Sequence, residues 1–373
     1  MTRVLFATAS AIFLCSLLVL FPAPTSSLVI AAIIIAEWGY YFAIVAIAIA
    51  LMAWKRGSLG KLTALLALIA ALLCLSPTLR AIQIAASLPA RCDEAFGRAS
   101  NDKEAFRFLS LFTRSSFPDV ELTTHVYAEA LALDLYQSKD ARAPQPLIIM
   151  IHGGSWSRSS KEELPVFNSY LAHENYTVAA INYRHAPKWQ FPAQVDDVFR
   201  AIDFLKTRAD ELHIDPTRIV LIGRSAGAQV ALSAAYSGRD SAIRGVIAFY
   251  PPTDLVFGYD HPSARWVLDS KKVLQDYLGG TLAQEPAQYV AASPINFVNE
   301  NTPPTVLIHG GLDSVIWPVH SEMLAARLEQ ARIPHFYLSL GWATHGCDAN
   351  LHGPSGQLSS YVIDRFLAST LSP

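Results

Sequence analysis

Hydrophobic residues follow two different patterns along this chain. Segments 4–21, 28–54 and 62–79 are long apolar runs that hold a single charged residue between them, Glu37. Beyond residue 118 the apolar runs shrink to five to seven residues and alternate with amphipathic stretches. A helix needs on the order of 20 apolar residues to span a hydrocarbon core of about 30 Å. Each long run therefore predicts a transmembrane helix, the first ended by Pro22 and Pro24. Trp38, Tyr40 and Tyr41 suit the headgroup level, so Glu37 is expected near a membrane interface.

The short runs predict a different architecture. Segments 122–128 and 130–136 read as two paired strands. PLIIMIH (146–152), TVAAINY (177–183), RIVLIG (218–223), GVIAFY (245–250), TVLIH (305–309) and HFYLSL (335–340) have the continuous apolar character of strands buried on both faces. Helical patterns over 164–175, 192–211, 226–236, 319–331 and 356–367 separate most of them. Buried strands alternating with helices imply an α/β fold, a mostly parallel sheet covered by helices on both faces. Segment 254–298 breaks the rhythm and is expected to form a cap-like excursion over the C-terminal edge of the sheet, where α/β ligand sites lie. The expected organisation is a transmembrane region over 1–86, a linker over 87–118 with a helical stretch at 102–112, and a catalytic domain over 119–373.

Charge refines this picture. Charged residues make up 16% of the chain, against about 25% in ordinary soluble domains. The deficit sits in the first 90 positions. The loop at 21–27 has no charge, whereas Lys55, Arg56 and Lys61 lie between the second and third runs and Arg3 precedes the first. Positive charge stays cytoplasmic, so the catalytic domain is expected on the extracytoplasmic side of a bacterial inner membrane. Met-Thr-Arg before an apolar run also fits a cleaved signal peptide, but the later two runs favour a multi-span anchor. A net charge of −2 and the lack of a basic stripe argue against a nucleic-acid partner. The four cysteines form no CxxC pair, so no zinc site is expected. Cys92 and Cys347 lie outside the apolar runs and could pair in an oxidising compartment.

The chemistry concentrates at strand ends. Gly223-Arg224-Ser225-Ala226-Gly227 reads G-x-S-x-G between an apolar strand and a small-residue helix. That setting is what a nucleophile elbow requires. A serine hydroxyl needs a base to take its proton, and the base needs an orienting carboxylate. In the chain order serine, acid, histidine, Asp313 follows the strand at 305–309 and His345 follows the strand at 335–340. Rival acids are Asp254 and Asp348, and rival histidines are His320 and His352. His152-Gly153-Gly154-Ser155-Trp156 follows the first buried strand, and its glycines can turn amides toward a developing oxyanion. Gly153, Gly154 and Ala226 are the expected donors, with His152 structural. Asp196 and Asp197 are read as helix-start carboxylates, one of them a partner for Arg184. Trp156, Trp189, Tyr250, Trp266, Trp317 and Trp342 are candidates for an apolar acyl pocket.

HGGSW, NYRHAP, FPAQVDDV, GRSAGA, SPINF, HGGLDSVIWPVHS and THG occur in the order found in bacterial carboxylesterases. Over about 115–370 the chain resembles α/β-hydrolase esterases of the feruloyl-esterase-like and hormone-sensitive-lipase-like groups. The resemblance implies an α/β-hydrolase fold, a Ser225–Asp313–His345 triad, an oxyanion hole at Gly153, Gly154 and Ala226, and no metal or organic cofactor. Ser155 stands where the family often has a third glycine, and Arg224 and Ala228 replace the usual Asp and Gly around the elbow. The expected reaction is ester hydrolysis on a small-molecule or lipid-like ester. The same machinery serves formamidases, peptidases and acyltransferases, and a non-enzymatic membrane scaffold is the reading from another class.

Overall fold

The computed structural model describes residues 1–98, 103–141 and 143–372. It opens with α1 (Thr2–Ser16, prolonged by a 3-10 turn to Val19), α2 (Ser26–Ala53) and α3 (Gly57–Phe96). These three helices are long and apolar enough to cross a membrane. They pack through small residues. Ala43, Ala46 and Ala50 of α2 and Ala64, Ala67 and Ala71 of α3 are buried, while Ile44, Ile47, Leu51, Leu62, Leu65 and Leu72 face outward. A Cβ at Gly39 would stand 2.5 Å from the Cys74 carbonyl oxygen. Such close backbone approach is how helices associate where the surroundings are as apolar as leucine.

The rest of the chain alternates strands and helices: β1 (Val120–Ala128), β2 (Leu131–Ser138), β3 (Gln145–Ile151), α4 (Pro165–His173), β4 (Thr177–Ile181), α5 (Ala193–Thr207), β5 (Ile214–Arg224), α6 (Ala226–Tyr236), β6 (Ile243–Phe249), α7 (Leu255–Asp260), α8 (Ser270–Leu278), α9 (Pro286–Ala291), β7 (Thr305–Gly310), α10 (Val319–Gln330), β8 (His335–Leu340) and α11 (Pro354–Thr370). The eight strands form one sheet in the order β1-β2-β4-β3-β5-β6-β7-β8. Only β2 makes antiparallel pairs, with β1 and β4; the remaining neighbours are parallel. Successive side chains alternate faces. Leu147, Ile149 and Ile151 of β3 point to a core shared with α5, α6 and α10. Ile148 and Met150 point to the opposite core, shared with α4 and α11. The expected excursion, 254–298, carries α7, α8 and α9 and contributes no strand.

The join between anchor and sheet differs from expectation. The third span continues as one helix to Phe96, taking in the first ten residues of the expected linker. Pro89, Arg91, Asp93 and Glu94 disguise this stretch. Its buried face, Ala81, Leu88 and Cys92, completes the core behind α11, and Asp93 pairs with Arg365 at 2.6 Å. The helix expected over 102–112 is reduced to a 3-10 turn at Phe108–Phe112, and Asp102 lies outside the described residues. Lys103 there pairs with Glu174 and Asp364 at 2.6 and 2.9 Å. Cys92 and Cys347, which could have paired, are both buried free thiols.

Glu37 packs against the catalytic domain rather than facing outward. It is fully buried, and its Oε2 accepts the amide of Ser355 at 3.2 Å. Ser355 lies in the first turn of α11, where a carboxylate complements the exposed amides and the helix dipole. Asn350 donates to the Glu37 carbonyl at 3.1 Å, and Tyr40 donates to the Leu111 carbonyl at 2.8 Å. The first half of α2 is thus a wall of the catalytic domain.

Candidate active site

Ser225 joins β5 to α6 with φ 52° and ψ −119°. A non-glycine residue is strained there. The bend is tolerated because its neighbours have no side chain: a Cβ at Gly223 would lie 2.3 Å from the Gly227 carbonyl oxygen, and one at Gly227 would lie 2.2 Å from that of His152. The strain holds the hydroxyl clear of the backbone. Ser225 Oγ is 3.0 Å from His345 Nε2, and His345 Nδ1 is 2.7 Å from Asp313 Oδ2. Asp313 follows β7 and His345 follows β8, so three parallel strands deliver the three side chains to one edge of the sheet.

The acid is firmly held. Asp313 Oδ1 accepts the amides of Val315 and Ile316 at 2.8 and 3.0 Å. His309, not anticipated from the sequence, lies 3.3 Å from Asp313 Oδ2. Burial alone would raise the Asp313 pKa. His345 and His309 outweigh it and hold this carboxyl well below the ordinary carboxylate range. The rivals are engaged elsewhere. Asp254 caps α7 by accepting the Phe257 amide at 2.9 Å. His320 is buried, accepts the Thr253 amide, and is pushed down to about 3 by burial. His352 hydrogen-bonds Ser115 at 2.7 Å. Asp348 forms an ion pair with Arg224 and accepts the Tyr250 hydroxyl at 2.6 Å.

That last pair is a second feature the sequence did not announce. Arg224 precedes Ser225, is almost fully buried, and lies over the rings of Phe167 and Phe249 at 5.2 and 5.7 Å. The Tyr250 ring packs against His345 with centroids 4.3 Å apart. The ion pair thus fixes the strand end carrying Ser225 to the loop carrying His345.

The oxyanion side departs from expectation at one residue. The Gly153 amide donates to Glu163 Oε2 at 2.9 Å and is not free for a substrate. The amides of Gly154, Ser155 and Ala226 have no hydrogen-bond partner among the described residues. Glu163 and Ser155 are therefore site residues the sequence reading missed; the place of Ser155 in the HGGS motif was the available signal. His152 stacks on Tyr183 at 4.2 Å, and burial pushes it down to about 4, consistent with a structural imidazole. Asp197 is buried and binds Arg184 at 2.8 Å, away from the triad.

Two spaces meet at Ser225. A tight cavity of about 40 Å³ lies beneath the excursion, walled by Trp156, Leu255, Leu274, Ile316 and Trp317. A wider cleft of about 540 Å³ is lined by His345, Gly346, Leu268 and Arg158, and by Val29, Ile30 and Ile33 of α2. Of the six aromatic candidates, Trp156 and Trp317 line the cavity and Tyr250 the cleft. Trp342 is buried in the core, donating to Ser355 Oγ, and Trp189 and Trp266 are exposed.

Residues 133–328 match the BD-FAE family model. The chain is 25% identical over 291 residues to the probable carboxylic ester hydrolase LipM of Mycobacterium tuberculosis, covering 74% of this chain and 66% of the relative. It is 29% identical over 253 residues to esterase LipC of the same organism, covering 64% and 62%. The chain thus spans somewhat less than two thirds of the length of these relatives. Among solved structures, a bacterial heroin esterase superposes with a TM-score of 0.60 at 22% identity, covering 78% of this chain and 93% of that one. The esterase Est2 of Thermogutta terrifontis superposes with a TM-score of 0.53 at 22% identity, covering 69% and 95%. These likenesses establish the α/β-hydrolase fold.

Proposed function

The chain belongs to the BD-FAE family, and from that membership we propose that it is a serine hydrolase that cleaves carboxylic esters through an acyl-enzyme on Ser225. The observation that carries the reading is the continuous hydrogen-bonded path Asp313–His345–Ser225, with steps of 2.7 and 3.0 Å. His345 Nε2 takes the hydroxyl proton as Ser225 Oγ bonds to the ester carbonyl carbon. The negative charge that develops on the carbonyl oxygen faces the amides of Gly154, Ser155 and Ala226, and the positive end of α6. The bond to the alcohol oxygen then breaks, and His345 gives that oxygen its proton. Water repeats the cycle. It yields a proton to His345 and adds to the acyl carbon, and Ser225 leaves and recovers its proton as the acid departs. Asp313 keeps His345 in the required tautomer throughout. The scheme uses no metal or organic cofactor. A fluorophosphonate probe is expected to label the wild type and not Ser225→Ala; equal labelling defeats the reading.

The three apolar helices are assigned to a bacterial inner membrane, with the catalytic domain on its extracytoplasmic side. Two features support this: the outward-facing isoleucines and leucines of α2 and α3, and the basic loop at 55–61, whose positive charge favours the cytoplasmic side. A membrane-impermeant maleimide applied to intact spheroplasts is expected to label Ser237→Cys, and to label Lys55→Cys only after permeabilisation. The reverse pattern inverts the assignment.

A further inference from the structure

The two spaces that meet at Ser225 differ in size, in position relative to His345, and in where they open. Resting on the ester-hydrolase and membrane-anchor readings above, these differences point to a substrate. In the proposed cycle His345 hands its proton to the departing alcohol. The alcohol must therefore lie in the space that His345 lines, which is the cleft and not the cavity. The acyl group is left with the cavity beneath the excursion. Its volume of about 40 Å³ is far below the 540 Å³ of the cleft, so the cavity takes the smaller half of the ester.

The cleft is different. One of its walls is the N-terminal part of α2, and Ile33 reaches so near the loop after His345 that a Cβ on Gly346 would stand 3.1 Å from its Cδ1. Ile30 lines the cleft and is itself 62% exposed. Ile34, one turn further along α2, and Phe21 are also exposed. Across the mouth, Trp266 is 77% exposed, and its carbonyl accepts the Ser26 amide at the start of α2 at 3.0 Å. An exposed tryptophan in a loop hydrogen-bonded to the start of an apolar helix suits the headgroup level. The mouth of the cleft thus lies on the surface that the anchor presents to lipid.

We infer that the substrate is a short-chain acyl ester of a membrane-resident amphiphilic alcohol, which reaches Ser225 from the bilayer along α2. The lipid alcohol occupies the cleft and the small acyl group the cavity. The bond cleaved is the one between the acyl carbon and the alcohol oxygen. The alcohol returns to the bilayer with the proton from His345, and the short acid leaves after water attacks the acyl-enzyme.

The test uses the full chain in phosphatidylcholine–phosphatidylglycerol nanodiscs with two esters of opposite polarity, octadecyl acetate and ethyl octadecanoate. Octadecyl acetate is expected to be turned over at least tenfold faster. Equal rates, or a preference for ethyl octadecanoate, overturn the inference. Ile30→Glu, at an exposed position, is expected to lower the ratio of octadecyl acetate to p-nitrophenyl acetate turnover at least fivefold; an unchanged ratio counts against entry along α2. Fluorophosphonate labelling and p-nitrophenyl acetate turnover on the same nanodiscs separate the two readings. If both are absent, the hydrolase reading fails as well. If both are present without a preference for octadecyl acetate, only this inference fails.

Discussion

The three-helix anchor and the catalytic sheet bury opposite kinds of side chain. In the sheet the large residues are inside: Ile148, Ile149, Leu221, Ile222, Ile247 and Leu307 are fully buried. In the anchor the small residues are inside and the large ones outside, with Ala46, Ala64 and Ala67 fully buried beside exposed Ile47, Leu65 and Leu68. Water drives the first arrangement, because removing apolar area from it is worth roughly 25 cal/mol per Å². In lipid that drive between helices disappears, and close packing of backbones decides instead. A hydropathy pattern alone therefore locates the helices of the anchor but does not tell which face turns inward; residue size does.

Changes at the catalytic end should dwarf changes in the anchor. Asp313→Asn is expected to reduce kcat on p-nitrophenyl acetate by about 10⁴-fold, since the imidazole would lose its tautomeric control. A loss below tenfold would remove Asp313 from the proposed triad. The same variant carries a pH signature. The depressed Asp313 pKa stabilises the folded state fully above the unfolded carboxylate value of about 3.9, and the contribution is lost as pH falls through the lower folded value. The Tm gap between wild type and Asp313→Asn should narrow as pH falls below about 4. A gap that widens toward acid contradicts the sign.

Next in size is the Arg224–Asp348 pair. Arg224→Ala leaves a buried carboxylate with only the Tyr250 hydroxyl, and breaking such a pair costs about 3–5 kcal/mol. Denaturant unfolding in detergent would measure it. The size inversion itself is then open to test. Ile148→Ala in the sheet is expected to cost about 2–5 kcal/mol. Ile47→Ala on the outward face should cost less than about 0.5 kcal/mol, whereas Ala46→Leu, one residue away and facing inward, should cost about 1–3 kcal/mol by overpacking. Similar costs for Ile47→Ala and Ala46→Leu would break the comparison.

The tight turn at Ser225 and the placement of Asp313 and His345 just after strands were readable because each is a local device, a motif attached to a strand end. The buried strands were readable for the same reason, being short apolar runs bounded by turns. The features that escaped are contacts between residues far apart in sequence. Nothing near Glu163 shows that its carboxylate occupies the Gly153 amide, and nothing near Arg224 shows that Asp348, 124 positions later, balances it. The continuation of α3 through Pro89 to Phe96 was hidden by local signals of a helix end. Packing against α11 overrides them, for Leu88 and Cys92 are buried in that core. The partner of Glu37 was hidden because it lies on α11, 318 positions later.

That last contact sets a timetable for biosynthesis. Glu37 waits for Ser355, 318 residues downstream, and at about 5–20 residues per second the ribosome needs roughly 15–60 s to make that stretch. Throughout that interval α2 has left the ribosome carrying a carboxylate without its eventual mate. Final seating of the second helix is therefore among the latest events in maturation, and it is completed by the C-terminal helix.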